Sequence, residues 1–351
     1  MTEKVYYSFA NDYSEGCHPR ILERLQKTNF EQTSGYGTDH YCSAAADVVK
    51  DYFDCTDHNV YFFVGGTPAN LTVMAAFLKP WQGVISADTG HIEAHESGAV
   101  EATGHKILTL PNRSGKLTAE DVATWCETFY ADETHEHMVF PGMIYISQPT
   151  ELGTLYTKDE LVALRRVADS YELPLFMDGA RLAMALAAAD VTGLSPTDYV
   201  KYVDLFYVGG TKCGALFGES LIVSNKIDQT GFRTVQKQRV GRLAKGRLLG
   251  LQFLELFTDD LYLEMGRHTN QQARKLAEGL TAIGVEFYVD SPTNQLFPIL
   301  PDDVIPQLRK HFGFEVQNAL PNNRHVVRFV TSWATLDDGV KALLEMLQKL
   351  L

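Results

Sequence analysis

Two stretches decide how this chain reads: Phe176-Met177-Asp178-Gly179-Ala180-Arg181 and, further on, Tyr207-Val208-Gly209-Gly210-Thr211-Lys212. Each begins in an apolar run of strand character, so an acid and a base are expected at the ends of two buried strands. A pyridoxal phosphate (PLP) site needs that pair. A lysine amine joins the cofactor aldehyde as a Schiff base, and a carboxylate keeps the pyridine nitrogen protonated so that the ring can draw electrons. Two ordinary strand ends with a solvated acid and a solvated base would read the same way in isolation.

Working outward, apolar runs at Val60–Val64, Gly83–Ala87, Lys106–Leu110, Met143–Ser147, Leu173–Asp178, Leu205–Val208 and Ser220–Ser224 read as strands. Helical spacing appears between them at Ser43–Phe53, Pro68–Leu78 and Lys158–Tyr171, after an irregular start with one helix near Ile21–Lys27. The alternation predicts an α/β fold whose large domain carries a mostly parallel seven-stranded sheet, covered on both faces. Sites in such sheets gather at the carboxyl ends of the strands, where Asp178 and Lys212 fall. Beyond Lys245 the pattern changes. Helices are expected over 247–256 and 260–283, then extended runs at 285–289 and 294–299, a helix near 306–312, a strand at 326–331 and a helix over 336–351. The expected division is an N-terminal segment (1–20) packing with the small domain and the site, a large PLP-binding domain (21–248) and a small C-terminal α+β domain (249–351).

The 351 residues are 45% hydrophobic and 21% charged, with a net charge of −13. That is a globular composition, and an acidic surface repels phosphate backbones, so no nucleic-acid partner is expected. Solubility is the simpler account of the acidity. No apolar run is long enough to span a membrane. Met1-Thr2-Glu3-Lys4 opens no apolar leader. The five cysteines are scattered and never spaced Cys-x-x-Cys, which points to free thiols in the cytoplasm and to no metal site.

Other residues could complete a site. Val64-Gly65-Gly66-Thr67-Pro68-Ala69-Asn70 joins a strand to a helix; glycines and a helix N-terminus suit a phosphate, although a plain tight turn looks the same. His91 follows a strand end and could stack on a ring or move a proton, or serve only as a structural hydrogen-bonder. Arg181, and Arg328 in an apolar strand, suit a substrate carboxylate, or else an ion pair. Arg239, Arg242, Lys245 and Arg247 form a basic cluster: a solvated helix face, or an anion site for a neighbouring subunit. Tyr36 sits in a glycine-flanked loop, with packing and a role in the site both open.

Taken in order, the Gly66 turn, His91, the Asp178–Arg181 run, the Thr211-Lys212 pair and Arg328 resemble the low-specificity threonine aldolase and β-eliminating lyase group, which are fold-type-I PLP enzymes. Ile146-Ser147-Gln148-Pro149-Thr150-Glu151-Leu152-Gly153 and Val327–Ser332 are most similar to a phenylserine-aldolase-like branch. The resemblance implies that Lys212 carries the cofactor, Asp178 meets its ring nitrogen and His91 stacks on the ring. Gly66, Thr67, Asn70, Thr211 and a neighbour's Arg247 would surround the cofactor. Arg181 and Arg328 would hold the substrate carboxylate, with Tyr36 reaching in across a subunit boundary of a dimer or dimer of dimers. Asn11 takes the place of a family serine, and Thr150 that of a family histidine near the substrate hydroxyl. The implied reaction is aldol cleavage of a β-hydroxy-α-amino acid to glycine and an aldehyde. β-Elimination, transamination, or cofactor binding without catalysis are the rival outcomes on this scaffold.

Overall fold

The computed structural model describes residues 7–351; the opening tetrapeptide read for a leader lies outside them. Eight strands come first: β1 (Tyr7–Ser8), β2 (Asn59–Phe63), β3 (Gln82–Ala87), β4 (Ile107–Leu110), β5 (Phe140–Ser147), β6 (Leu175–Asp178), β7 (Leu205–Gly209) and β8 (Glu219–Val223). Seven of them form one sheet in the order β2-β8-β7-β6-β5-β3-β4. β8 runs antiparallel to both neighbours and the remaining pairs are parallel. β5, β6 and β7 are almost wholly buried, as a central strand covered on both faces must be. Two apolar clusters do the covering, one around Ile144, Met177 and Phe206, the other around Tyr145, Phe176 and Tyr207. Successive residues of a strand point to opposite faces, which is why Phe176 and Met177 belong to different clusters.

Local chemistry fixes the surrounding helices. Asp39 caps the helix His40–Phe53 by accepting from the Cys42 N–H at 2.9 Å. Thr157 and Glu160 form a capping box on Lys158–Ser170. The helix Gly66–Phe77 begins differently: Gly65 offers no capping side chain, so its first N–H groups face outward from the end of β2.

The remaining strands are β9 (Gln295–Leu296), β10 (Ile299–Pro301), β11 (Phe312–Gly313), β12 (Glu315–Leu320) and β13 (Arg324–Val330). β10, β13 and β12 form a second sheet with β9 on β13, and the helices Leu261–Ala282 and Asp337–Leu350 cover it. β1 pairs with β11 in a separate two-stranded sheet, and the Val330 N–H at the end of β13 donates to the Phe9 carbonyl at 2.8 Å, which ties this segment to the second sheet. Three expectations change here. The run 285–289 makes only a single bridge, Phe287 to Pro298. The run 294–299 breaks into two short strands around Pro298, which has no N–H to give a ladder. The helix expected near 306–312 is Val304–Leu308, and Phe312 belongs to β11. Among the described residues, no helix is long and apolar enough to cross a membrane.

Candidate active site

The carboxyl ends of β5, β6 and β7, with the turn after β2, close on a cavity of about 340 Å³. Asp178 is the last residue of β6, and Lys212 follows β7 through the Gly209-Gly210 bend. Gly66 and Thr67 enter from the turn, and His91 from the chain after β3. Arg181 and Thr211 complete the predicted residues that share this space.

Asp178 sits at the floor. Its carboxylate accepts from the Tyr145 hydroxyl at 2.7 Å, the Asn70 amide at 3.3 Å and the Ala180 N–H at 3.0 Å. Burial alone would raise its pKa. His91 and the Tyr207 and Tyr145 hydroxyls outweigh burial and hold the carboxyl below its ordinary range. Asn70 lies behind Asp178 and does not line the cavity. The same amide nitrogen donates to Glu96 at 2.7 Å, and Glu96 meets His91 Nδ1 at 2.8 Å. Asp178, Asn70, Glu96 and His91 therefore form one hydrogen-bonded chain, buried except at His91. Burial works to lower the His91 pKa, but the Glu96 hydrogen bond and the Asp178 charge bring it above the ordinary value.

Lys212 is the lysine that lines this cavity. Burial first, and the Arg181 charge second, lower its pKa and favour the neutral amine. Among the described residues its ammonium has neither a hydrogen bond nor an ion-pair partner. Glu219, which the sequence reading missed, packs against the same corner. Its two oxygens accept from the Gly210 N–H at 3.0 Å and the Thr211 hydroxyl at 2.9 Å. Burial pushes its carboxyl up to about 8. The available signal was a lone acid opening the apolar run of β8.

Arg181 is gripped by Asp12, Nε at 2.6 Å and Nη2 at 3.1 Å, and Asn294 donates to the same carboxylate at 2.9 Å. Asp12 was also missed. Its neighbour Asn11 is a correction: that side chain caps the Tyr13 N–H and the Ser14 hydroxyl and does not line the cavity. Thr150 is a second correction. Its hydroxyl meets Thr154 at 2.7 Å in a buried pair turned away from the cavity, and Glu151 faces in instead. Arg328 reaches from β13 toward Glu315 at 2.8 Å. Burial lowers its pKa, and the Arg181 charge works in the same direction against that of Glu315. Tyr36 and Arg247 lie away from Lys212 of their own chain. Tyr36 lines a separate cavity with Arg242, and Arg247 donates to the carbonyls of Thr28 and Glu31.

The family described as beta-eliminating lyase matches residues 12–303. The chain belongs to the beta-eliminating lyase family. It is 31% identical to the low specificity L-threonine aldolase of Pseudomonas aeruginosa over 340 residues, 95% of each chain. It is 42% identical to a solved Leishmania major threonine aldolase, covering 98% of this chain and 99% of that one, with a TM-score of 0.94. An aspartate aminotransferase from Thermus thermophilus shares the fold, with a TM-score of 0.70 at 17% identity over 99% of this chain and 92% of that one. The architecture is thus that of the fold-type-I PLP enzymes.

Beta-eliminating lyases depend on PLP, and the donor set here fits that group. An unpaired lysine amine with a depressed pKa suits an aldehyde. A buried carboxylate kept ionised suits a protonated ring nitrogen. The uncapped helix start beside Gly66, with the Thr67 hydroxyl, suits a phosphate. Gly66 is needed there because a Cβ would stand 2.8 Å from the Tyr207 hydroxyl.

Proposed function

We propose that this protein is a PLP-dependent aldolase that cleaves a β-hydroxy-α-amino acid, of the threonine, allo-threonine or phenylserine type, to glycine and an aldehyde. The observation that carries the reading is the unpaired, buried Lys212 amine set in one cavity with the ionised Asp178. The two threonine aldolases described above support the choice of reaction. PLP, when bound, supplies a ring that accepts the electron pair left by the broken Cα–Cβ bond.

The chain's own residues do the rest. Lys212 would hold the cofactor through its amine. Asp178 keeps a proton on the ring nitrogen, and Asn70 and Tyr145 keep Asp178 in place. Gly66, Thr67 and Thr211 would hold the cofactor's phosphate, and His91 would lie beside the cofactor in the same cavity. Arg181, locked by Asp12, and Arg328 orient the substrate carboxylate. Fixing that carboxylate and the amine sets the scissile bond against the ring plane, which is where catalysis by orientation is gained.

A second copy of the chain belongs to this reading. Phe30 is 95% exposed beside the carbonyls that bind Arg247, and Val240 is 79% exposed near Tyr36 and Arg242. Large apolar side chains left open next to a basic cluster support a surface that a partner covers, bringing its Tyr36 and Arg247 toward Lys212. The five buried, unpaired cysteines are in keeping with a reducing cytoplasm.

The test is product analysis with threonine and phenylserine. Glycine and aldehyde in equal amounts are expected, together with loss of both in Lys212→Ala. A keto acid with ammonia, or unchanged cleavage by Lys212→Ala, would falsify the reading.

A further inference from the structure

Glu151 occupies a position that the functional assignment above leaves unused. It follows β5 by four residues and lines the Lys212 cavity with His91 and Arg181. One of its carboxylate oxygens, Oε1, is pinned. It accepts from the Ser147 hydroxyl at 2.7 Å and from the His91 N–H at 3.0 Å. The other, Oε2, makes no hydrogen bond to any described residue. A cavity-lining carboxylate with one oxygen fixed by two donors and the second without one is a positioned acceptor.

We propose that Glu151 is the catalytic base for this site, receiving the proton of the substrate's β-hydroxyl through its free oxygen. The assignment rests on the aldolase reading. In the step, the O–H bond breaks and its proton passes to Glu151. The C–O bond becomes the aldehyde carbonyl as Cα–Cβ breaks, and the electron pair stays on Cα, where PLP disperses it. A proton then returns to Cα, giving glycine, and Glu151 releases its own. The oxidation of Cβ to the aldehyde is balanced by the reduction of Cα, so no external oxidant or reductant is needed.

Two observations favour Glu151 over its neighbours. His91 is already committed through Nδ1 to Glu96 and is held toward its protonated form, which has no lone pair to offer. Thr150, the sequence's candidate for this region, is turned into a buried pair with Thr154. Burial raises the Glu151 pKa, and the Asp178 charge adds to it against the hydrogen bond from Ser147; a more basic carboxylate is a better acceptor.

The experiment compares Glu151→Gln with wild type, both loaded with PLP, in three measurements. These are threonine cleavage, exchange of the glycine α-proton for deuterium, and PLP affinity by absorbance titration. Glycine has no β-hydroxyl, so its exchange needs every other group but not this base. Cleavage is expected to fall about 10²-fold or more, the usual share of a general base, while exchange and PLP affinity stay at the wild-type level. Cleavage retained near wild type overturns the assignment. So does an equal loss of cleavage and exchange, which would make Glu151 a structural prop for Ser147 and His91. Should E151Q fold poorly, Glu151→Ala, which also removes the carboxylate, carries the same contrast. A wild-type protein that exchanges glycine but cleaves no β-hydroxy amino acid defeats the aldolase reading itself, and Glu151's role with it.

Discussion

Arg181 and Asp12 form a buried two-point ion pair, Nε to Oδ2 at 2.6 Å and Nη2 to Oδ1 at 3.1 Å, across a separation of 169 positions in the chain. Burial alone would raise the Asp12 carboxyl, yet Arg181 and then Lys212 hold it below its ordinary range. The pair fixes the guanidinium that is proposed to meet the substrate. It also ties the segment after β1 to the residue three places beyond Asp178.

Asp12→Ala leaves Arg181 charged and without its partner in a buried place. Removing one member of a buried pair costs about 3–5 kcal/mol. Denaturant unfolding should show a loss of that size. Steady-state kinetics should show a raised KM for the amino acid, because the guanidinium is no longer oriented. An unchanged unfolding midpoint with an unchanged KM would mean that the pair matters to neither.

Tyr145→Phe removes the 2.7 Å hydrogen bond to Asp178 without opening a cavity. A hydrogen bond to a charged group contributes about 1.5–3 kcal/mol. Less of Asp178's depression survives, so its grip on a protonated ring nitrogen weakens. Unfolding should register the loss, and the absorbance of bound PLP should change its pH dependence while Lys212 remains attached. Identical absorbance titrations for the two proteins would remove Tyr145 from this role.

Glu219→Gln should alter stability in a defined pH window. Glu219 stays protonated in the fold up to about 8, whereas in the unfolded chain it ionises near 4.5. The folded state therefore binds more protons in between, and stability falls as pH rises through that window, by at most about 1.4 kcal/mol per unit. Below the window the full stability is present. Glutamine cannot ionise, so the slope should flatten in E219Q. Urea unfolding across the window in both proteins makes the comparison; Glu219 and Lys212 feel each other's charge, so the difference reports Glu219 together with its effect on Lys212. Parallel curves would show that this carboxyl does not titrate there.

Much of the fold was legible before any coordinates. β2 through β8 fall on the runs read as strands because those runs are largely apolar, and in the central β5, β6 and β7 both faces are covered. The helices Lys158–Ser170 and Arg247–Leu256 match their periodicity closely. The helix Ala119–Ala131 was passed over despite its Thr118 cap. β12 was passed over because its residues are mostly exposed and polar, as an edge strand's can be.

The sequence by itself determined that strands alternate with helices, and that Asp178 and Lys212 stand at the ends of two buried strands. Both facts are local, carried by runs of a few apolar residues and the polar residue that ends them. Tertiary structure alone decided that β8 runs antiparallel, that Asp12 closes on Arg181, and that Glu219 lies under Thr211. It also decided that Glu151, and not Thr150, faces the cavity. These depend on partners far apart in the chain, or on the facing of side chains in a tight turn after β5. Periodicity reports which face of an element is buried; it does not report which buried group another part of the chain will meet.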